Sequence, residues 1–171
     1  FYYVLIVLIL ISCDYNKETS KTLFTKIKSA DSGIDFNNLI VPFENDSLNG
    51  LEYDVLYNGG GIGIGDFNSD GYQDIFFAGN LVSSKLYLNT GDFKFEDVTV
   101  VSGLQTDRWC TGVSVADVNQ DGLLDIYVCV ANPGASSKRK SNLLFINKGN
   151  KNGIPEFEEM GEKYQLNDDG F

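Results

Sequence analysis

A nine-residue pattern, D-x-N-x-D-G-x-x-D, occurs twice in this 171-residue chain and limits its fold more than any other feature. The first copy supplies Asp66, Asn68, Asp70 and Asp74; the second supplies Asp117, Asn119, Asp121 and Asp125. Oxygen-bearing side chains at alternate positions of a curled loop meet at one centre, as Ca²⁺ requires for its roughly 6–8 oxygen ligands. Position 7 adds a backbone carbonyl (Tyr72, Leu123), and Asp at position 9 closes the shell. Gly71 and Gly122 fall at position 6, where the turn is sharpest. Two Ca²⁺ sites are expected.

An EF-hand loop opens the same way but ends in a bidentate Glu at position 12. Here position 12 is Phe77 in one copy and Val128 in the other. The runs Asp74-Ile75-Phe76-Phe77 and Asp125-Ile126-Tyr127-Val128 read as strands, so the loops join β-strands. The competing explanation is ordinary turn chemistry, with Asp and Asn bonding their own backbone. Recurrence of the whole pattern favours the metal.

The surrounding sequence repeats as well. Asp66 and Asp117 are 51 residues apart. Each loop is followed by an apolar strand, a second strand ending in Asn-x-Gly, and a third that is aromatic and acidic. The pieces are Leu86-Tyr87-Leu88-Asn89-Thr90-Gly91 with Phe95-Glu96-Asp97, and Leu144-Phe145-Ile146-Asn147-Lys148-Gly149 with Phe157-Glu158-Glu159. Asn89 and Asn147 are 58 residues apart, which assigns seven extra residues to the second unit, expected within residues 131–141. Four short strands in about 50 residues is the size of a propeller blade. Twelve Phe, nine Tyr and eighteen Gly agree with an all-β fold.

The units resemble the integrin-α type FG-GAP repeats, also called VCBS repeats. With the glycine-rich approach over residues 59–65, they also resemble bacterial lipoproteins of the cartilage acidic protein-like (ASPIC/UnbV-associated) group. The similarity covers residues 31–171. It implies a partial β-propeller of about two four-stranded blades plus the start of a third near Tyr164. It also implies a calcium-binding module for a protein or glycan ligand.

The N-terminus carries its own signal. Residues 1–11 are an unbroken apolar run, too short for the about 20 residues a spanning helix needs. Residues 1–12 read as a truncated signal peptide, and Leu10-Ile11-Ser12-Cys13 resembles a lipobox with Cys13 as the lipidated residue. A buried strand ending in a cysteine is the alternative. Residues 13–30 form a polar tether, with a short amphipathic helix around Leu23, Phe24 and Ile27 as one option. Residues 34–36, 39–41 and 53–57 read as strand pieces leading into the first unit. The expected location is extracytoplasmic and membrane-anchored through lipid alone. Starting at Phe1, the chain reads as a fragment of a longer protein.

The net charge of −11 disfavours a nucleic-acid partner. The chain has no His, which removes Ser-His-Asp and Cys-His catalysis and leaves an enzymatic role only as the rival reading, with a carbohydrate-active site elsewhere in a longer protein. Residues 59–65 do not form G-x-G-x-x-G and instead suit closely packed inner strands. Trp109 is expected to pack between blades, Cys110 and Cys129 to be free and mostly buried, and Lys138-Arg139-Lys140 to lie on a solvated loop.

Overall fold

A computed structural model describes residues 23–40, 58–131 and 141–168. The signal segment, Cys13, residues 53–57 and the basic triplet lie outside them. Two four-stranded antiparallel sheets make up the fold, each with its strands in sequence order. The first holds β1 (Ile62–Gly65), β2 (Asp74–Phe77), β3 (Lys85–Asn89) and β4 (Phe95–Asp97). The second holds β5 (Cys110–Ala116), β6 (Asp125–Val130), β7 (Leu143–Lys151) and β8 (Ile154–Glu159). Each acidic loop is the β1–β2 or β5–β6 turn, as the repeat predicts; Asn89-Thr90-Gly91 closes the β3 ladder, whereas Asn147-Lys148-Gly149 lies inside β7 at an irregularity and the ladder resumes at Asn150.

The core lies between the sheets. Phe76, Leu86 and Leu88 of the first meet Ile126, Val128 and Phe145 of the second, with Val113 and Val115 packed against the same cluster. Close approach is possible because β1 alternates with glycine. A Cβ added to Gly63 would lie 2.8 and 2.9 Å from the Val115 and Val113 side chains. One added to Gly61 would lie 2.6 Å from the Val113 nitrogen. Gly61, Gly63 and Gly65 therefore admit the neighbouring sheet, whereas Gly60 makes room for the Ala78 carbonyl beside it. Trp109 is buried at the junction and lends its carbonyl to the Ala131 N–H.

The sheets differ in their last hairpin. Asn89 and its ladder partner Phe95 are six residues apart, whereas Asn147 and Phe157 are ten apart. Asn152 and Gly153, both at positive φ (55° and 82°), turn the longer hairpin. Asn-Gly is the preferred pair for such a turn.

Residues 29–40 cover part of the first sheet's outer face. A single helical turn, α1 (Ser29–Ser32), ends at Gly33 in the left-handed region. Phe36 then stacks on Phe77 at 4.9 Å. Asp35 accepts from the Tyr87 hydroxyl (2.5 Å) and from Lys85 Nζ (2.9 Å), which hold its carboxyl below the usual range.

Four expectations are corrected. No helix forms around Leu23, Phe24 and Ile27; Leu23 and Phe24 face solvent with no core to receive an apolar stripe. Residues 34–36 join no ladder, because side-chain contacts hold them instead. No third-blade strand begins at Tyr164; α2 (Gly161–Tyr164) is one helical turn, and residues 165–168 are not strand. Of the two free thiols, Cys110 is buried but Cys129 is exposed. The ladder pairs Cys110 with Val130 and Cys129 with Gly112 across a bulge.

Gly61→Ala should force the sheets apart and cost about 1–3 kcal/mol, the usual range for overpacking a tight contact. Urea unfolding measures it; a change within error would show that the residue preceding β1 tolerates a side chain.

Candidate functional site

The two acidic loops have the same internal geometry, contact for contact. In the first, Asp66 Oδ1 accepts the Asp70 N–H (3.0 Å) and Oδ2 the Gly71 N–H (2.9 Å). Asp70 Oδ1 accepts the Tyr72 N–H (2.8 Å), and Asn68 Oδ1 also faces the Asp70 N–H (3.3 Å). In the second, Asp117 accepts from Asp121 and Gly122 (3.1 and 2.9 Å), and Asp121 accepts from Leu123 (2.9 Å). Asn119 Oδ1 faces the Asp121 N–H at 3.1 Å. The backbone matches too. Positions 4 and 6 have positive φ in both loops: Ser69 58° and Gly71 91°, Gln120 62° and Gly122 87°. No atom crowds a Cβ at either glycine, so conformation rather than space selects glycine there.

Position 9 is set back into the sheet. Asp74 and Asp125 have no exposed surface. Asp74 Oδ2 accepts the Phe67 N–H (2.9 Å) and Oδ1 the Asn89 N–H (2.8 Å). Asp125 does the same with Val118 and Asn147, both at 2.8 Å. Each carboxylate thus ties its loop to the third strand, at the last residue of β3 and at the middle of β7. Burial pushes the Asp74 carboxyl up to about 6, against its two amide bonds, and the nearby Asp70 and Asp66 charges add to the rise.

The structure therefore brings Asp66, Asn68 and Asp70 together around one amide, with Asp74 behind them, and Asp117, Asn119 and Asp121 likewise, with Asp125 behind. Among the described residues no three acidic or cysteine side chains close into a metal cage. The loop oxygens are turned onto the loop's own N–H groups. The donors nonetheless suit a hard cation: every side chain in each set offers oxygen, and carboxylates predominate.

Asn89 and Asn147 belong to this site, although sequence reasoning had read them only as punctuation. Besides the N–H given to Asp125, Asn147 donates Nδ2 to the Phe67 carbonyl of the first loop (2.9 Å). The long β7–β8 hairpin reaches the same loop: Asn68 Nδ2 donates to the Gly153 carbonyl (3.1 Å), and Asn150 Nδ2 to the Asn68 carbonyl.

Residues 66–128 match the FG-GAP-like repeat. The match starts at the first residue of one loop, ends within β6 and contains both. It supports reading the two sheets as FG-GAP-like, propeller-type units. A comparison with curated proteins returns no match.

Asp74 gives a pH signature. In chelator, its raised pKa means the folded chain holds more protons than the unfolded chain between about pH 4 and 6. Stability should therefore fall as pH rises through that window, by up to about 3 kcal/mol. Asp74→Asn should flatten the profile in urea unfolding with chelator; an unchanged slope would assign the dependence to another group.

Proposed function

We propose that this chain is a calcium-stabilised pair of propeller-type blades from a lipid-anchored, extracytoplasmic bacterial protein, serving to bind or scaffold a protein or glycan. The observation that carries the reading is the duplicated loop: two all-oxygen donor sets with the same φ signs and the same contacts, each at the first turn of a four-stranded unit.

In each loop, side-chain oxygens of positions 1, 3, 5 and 9 (Asp66, Asn68, Asp70 and Asp74; Asp117, Asn119, Asp121 and Asp125) would hold the ion. The carbonyl of Tyr72 or Leu123 would complete the set. Bound Ca²⁺ supplies charge neutralisation and a rigid joint between the first two strands. Two ions would take the formal charge from −11 to −7. Since the unfolded chain offers no preformed site, binding is expected to add to folding stability. Loops at the ends of such units are the natural recognition surface. The anchor rests on the Leu10-Ile11-Ser12-Cys13 motif and the apolar run before it.

Calorimetric calcium titration with melts in chelator and in calcium tests the central claim. Saturable binding at two sites and a raised melting temperature are expected. Asp70→Ala should weaken the first site at least about tenfold and leave the second largely intact, since removal of one charged ligand is worth a few kcal/mol. No binding by the parent chain would reduce both loops to turn formers. For the anchor, Cys13→Ser should move the protein from membrane to soluble fractions, and unchanged fractionation would remove the claim.

A further inference from the structure

The first acidic loop is a joint between the two units, and the last hairpin of the second unit holds it in position. Phe67, at position 2, is fully buried and meets the Phe157 ring edge-on at 6.1 Å. Its carbonyl accepts from Asn147 Nδ2 at 2.9 Å. Position 3 is Asn68, a member of the donor set. The Asn68 carbonyl accepts from Asn150 Nδ2, and its own Nδ2 donates to the Gly153 carbonyl at 3.1 Å. Two consecutive loop residues are thus gripped by the β7–β8 hairpin.

The bond to Gly153 decides which end of the Asn68 amide faces the loop. A carboxamide has an accepting end and a donating end of nearly the same shape, and only the oxygen serves a cation. A backbone carbonyl can only accept, so the Gly153 bond draws Nδ2 outward and leaves Oδ1 toward the Asp70 N–H, at 3.3 Å. Asn68 Nδ2 also donates to Asp70 Oδ2 (2.9 Å), but Asp70 is itself a member of the donor set. The Gly153 carbonyl is not, and it orients Asn68 independently of the carboxylates. Hairpin length makes this reach possible. Ladder partners Asn147 and Phe157 lie ten residues apart, against six for Asn89 and Phe95, and Asn150 and the positive-φ pair Asn152 and Gly153 fall between them.

Resting on the calcium reading of this loop, we infer that Asn150 and Gly153 are positioning residues of the first site. The hairpin of the second unit presets Asn68 and so raises the affinity of the first loop for the ion. Partners outside the ligand shell that fix the orientation of a ligand commonly strengthen a metal site. The coupling is reciprocal, so an ion in the first loop also holds the hairpin tip and joins the two units.

Calcium calorimetry and amide hydrogen exchange of the full chain test this in two backgrounds, Asp121→Ala to leave the first site and Asp70→Ala to leave the second. In the first background Asn150→Ala should weaken binding roughly three- to tenfold, the worth of one orienting hydrogen bond. In the second it should leave the affinity unchanged. Gly153→Ala strains a positive-φ turn without crowding any atom, and should act like Asn150→Ala. Calcium should slow exchange of the residue 150–153 amides in the Asp121→Ala background and not in the Asp70→Ala one. A hairpin that only stabilises the fold would lower urea stability in chelator in both backgrounds and move neither readout. First-site binding that both hairpin variants leave unchanged, or an equal loss at the second loop, overturns this inference alone. Absence of binding by the parent chain overturns the calcium reading with it.

Discussion

A buried carboxylate holding two backbone amides is the interaction on which this structure depends. Burying a charge is costly unless directional partners replace water. Asp74 and Asp125 find those partners in one amide from the loop and one from the third strand. A hydrophobic contact tolerates sliding; this pair of bonds does not. It fixes where the loop ends and which residue of the third strand lies beside it. In the first unit it also sets the position of Phe67, the residue that fills the second unit.

The two faces of a unit do different jobs. One face of β1 is glycine, Gly63 and Gly65, and accepts the neighbour; the opposite face of β5 supplies valine, Val113 and Val115, the counterparts of Ile62 and Ile64, and is the part accepted. Packing of this kind is directional along the chain, unlike a sandwich, in which both sheets present equivalent bulk. That directionality is what a repeat needs in order to propagate.

Much of this could be read from residue order. The duplicated acidic pattern located both first turns, and the apolar runs after Asp74 and Asp125 located β2 and β6. The Asn-x-Gly punctuation marked the end of the β3 ladder, but in β7 the pairing runs on past it to Lys151. Legibility failed where structure depends on contacts between distant residues. The role of Asn147 comes from a bond to Phe67, eighty residues away, which no local pattern encodes. Residues 34–36 have strand composition but find partners through side chains, so propensity misread them. The Asn152-Gly153 turn was readable and was missed: besides the seven extra residues between the second and third strands, which the ladder registers bear out, four more lengthen the last hairpin.

The reach of that hairpin has a consequence for biosynthesis. The first acidic loop is clasped by Asn147, Asn150 and the Gly153 carbonyl, which leave the ribosome some eighty residues after it. Domains tend to settle in the order in which they are made. Here the earliest loop must wait for almost the last strand before its exterior bonds can close. The nascent first sheet is thus a partner-seeking intermediate, and the second sheet, arriving later, finishes both.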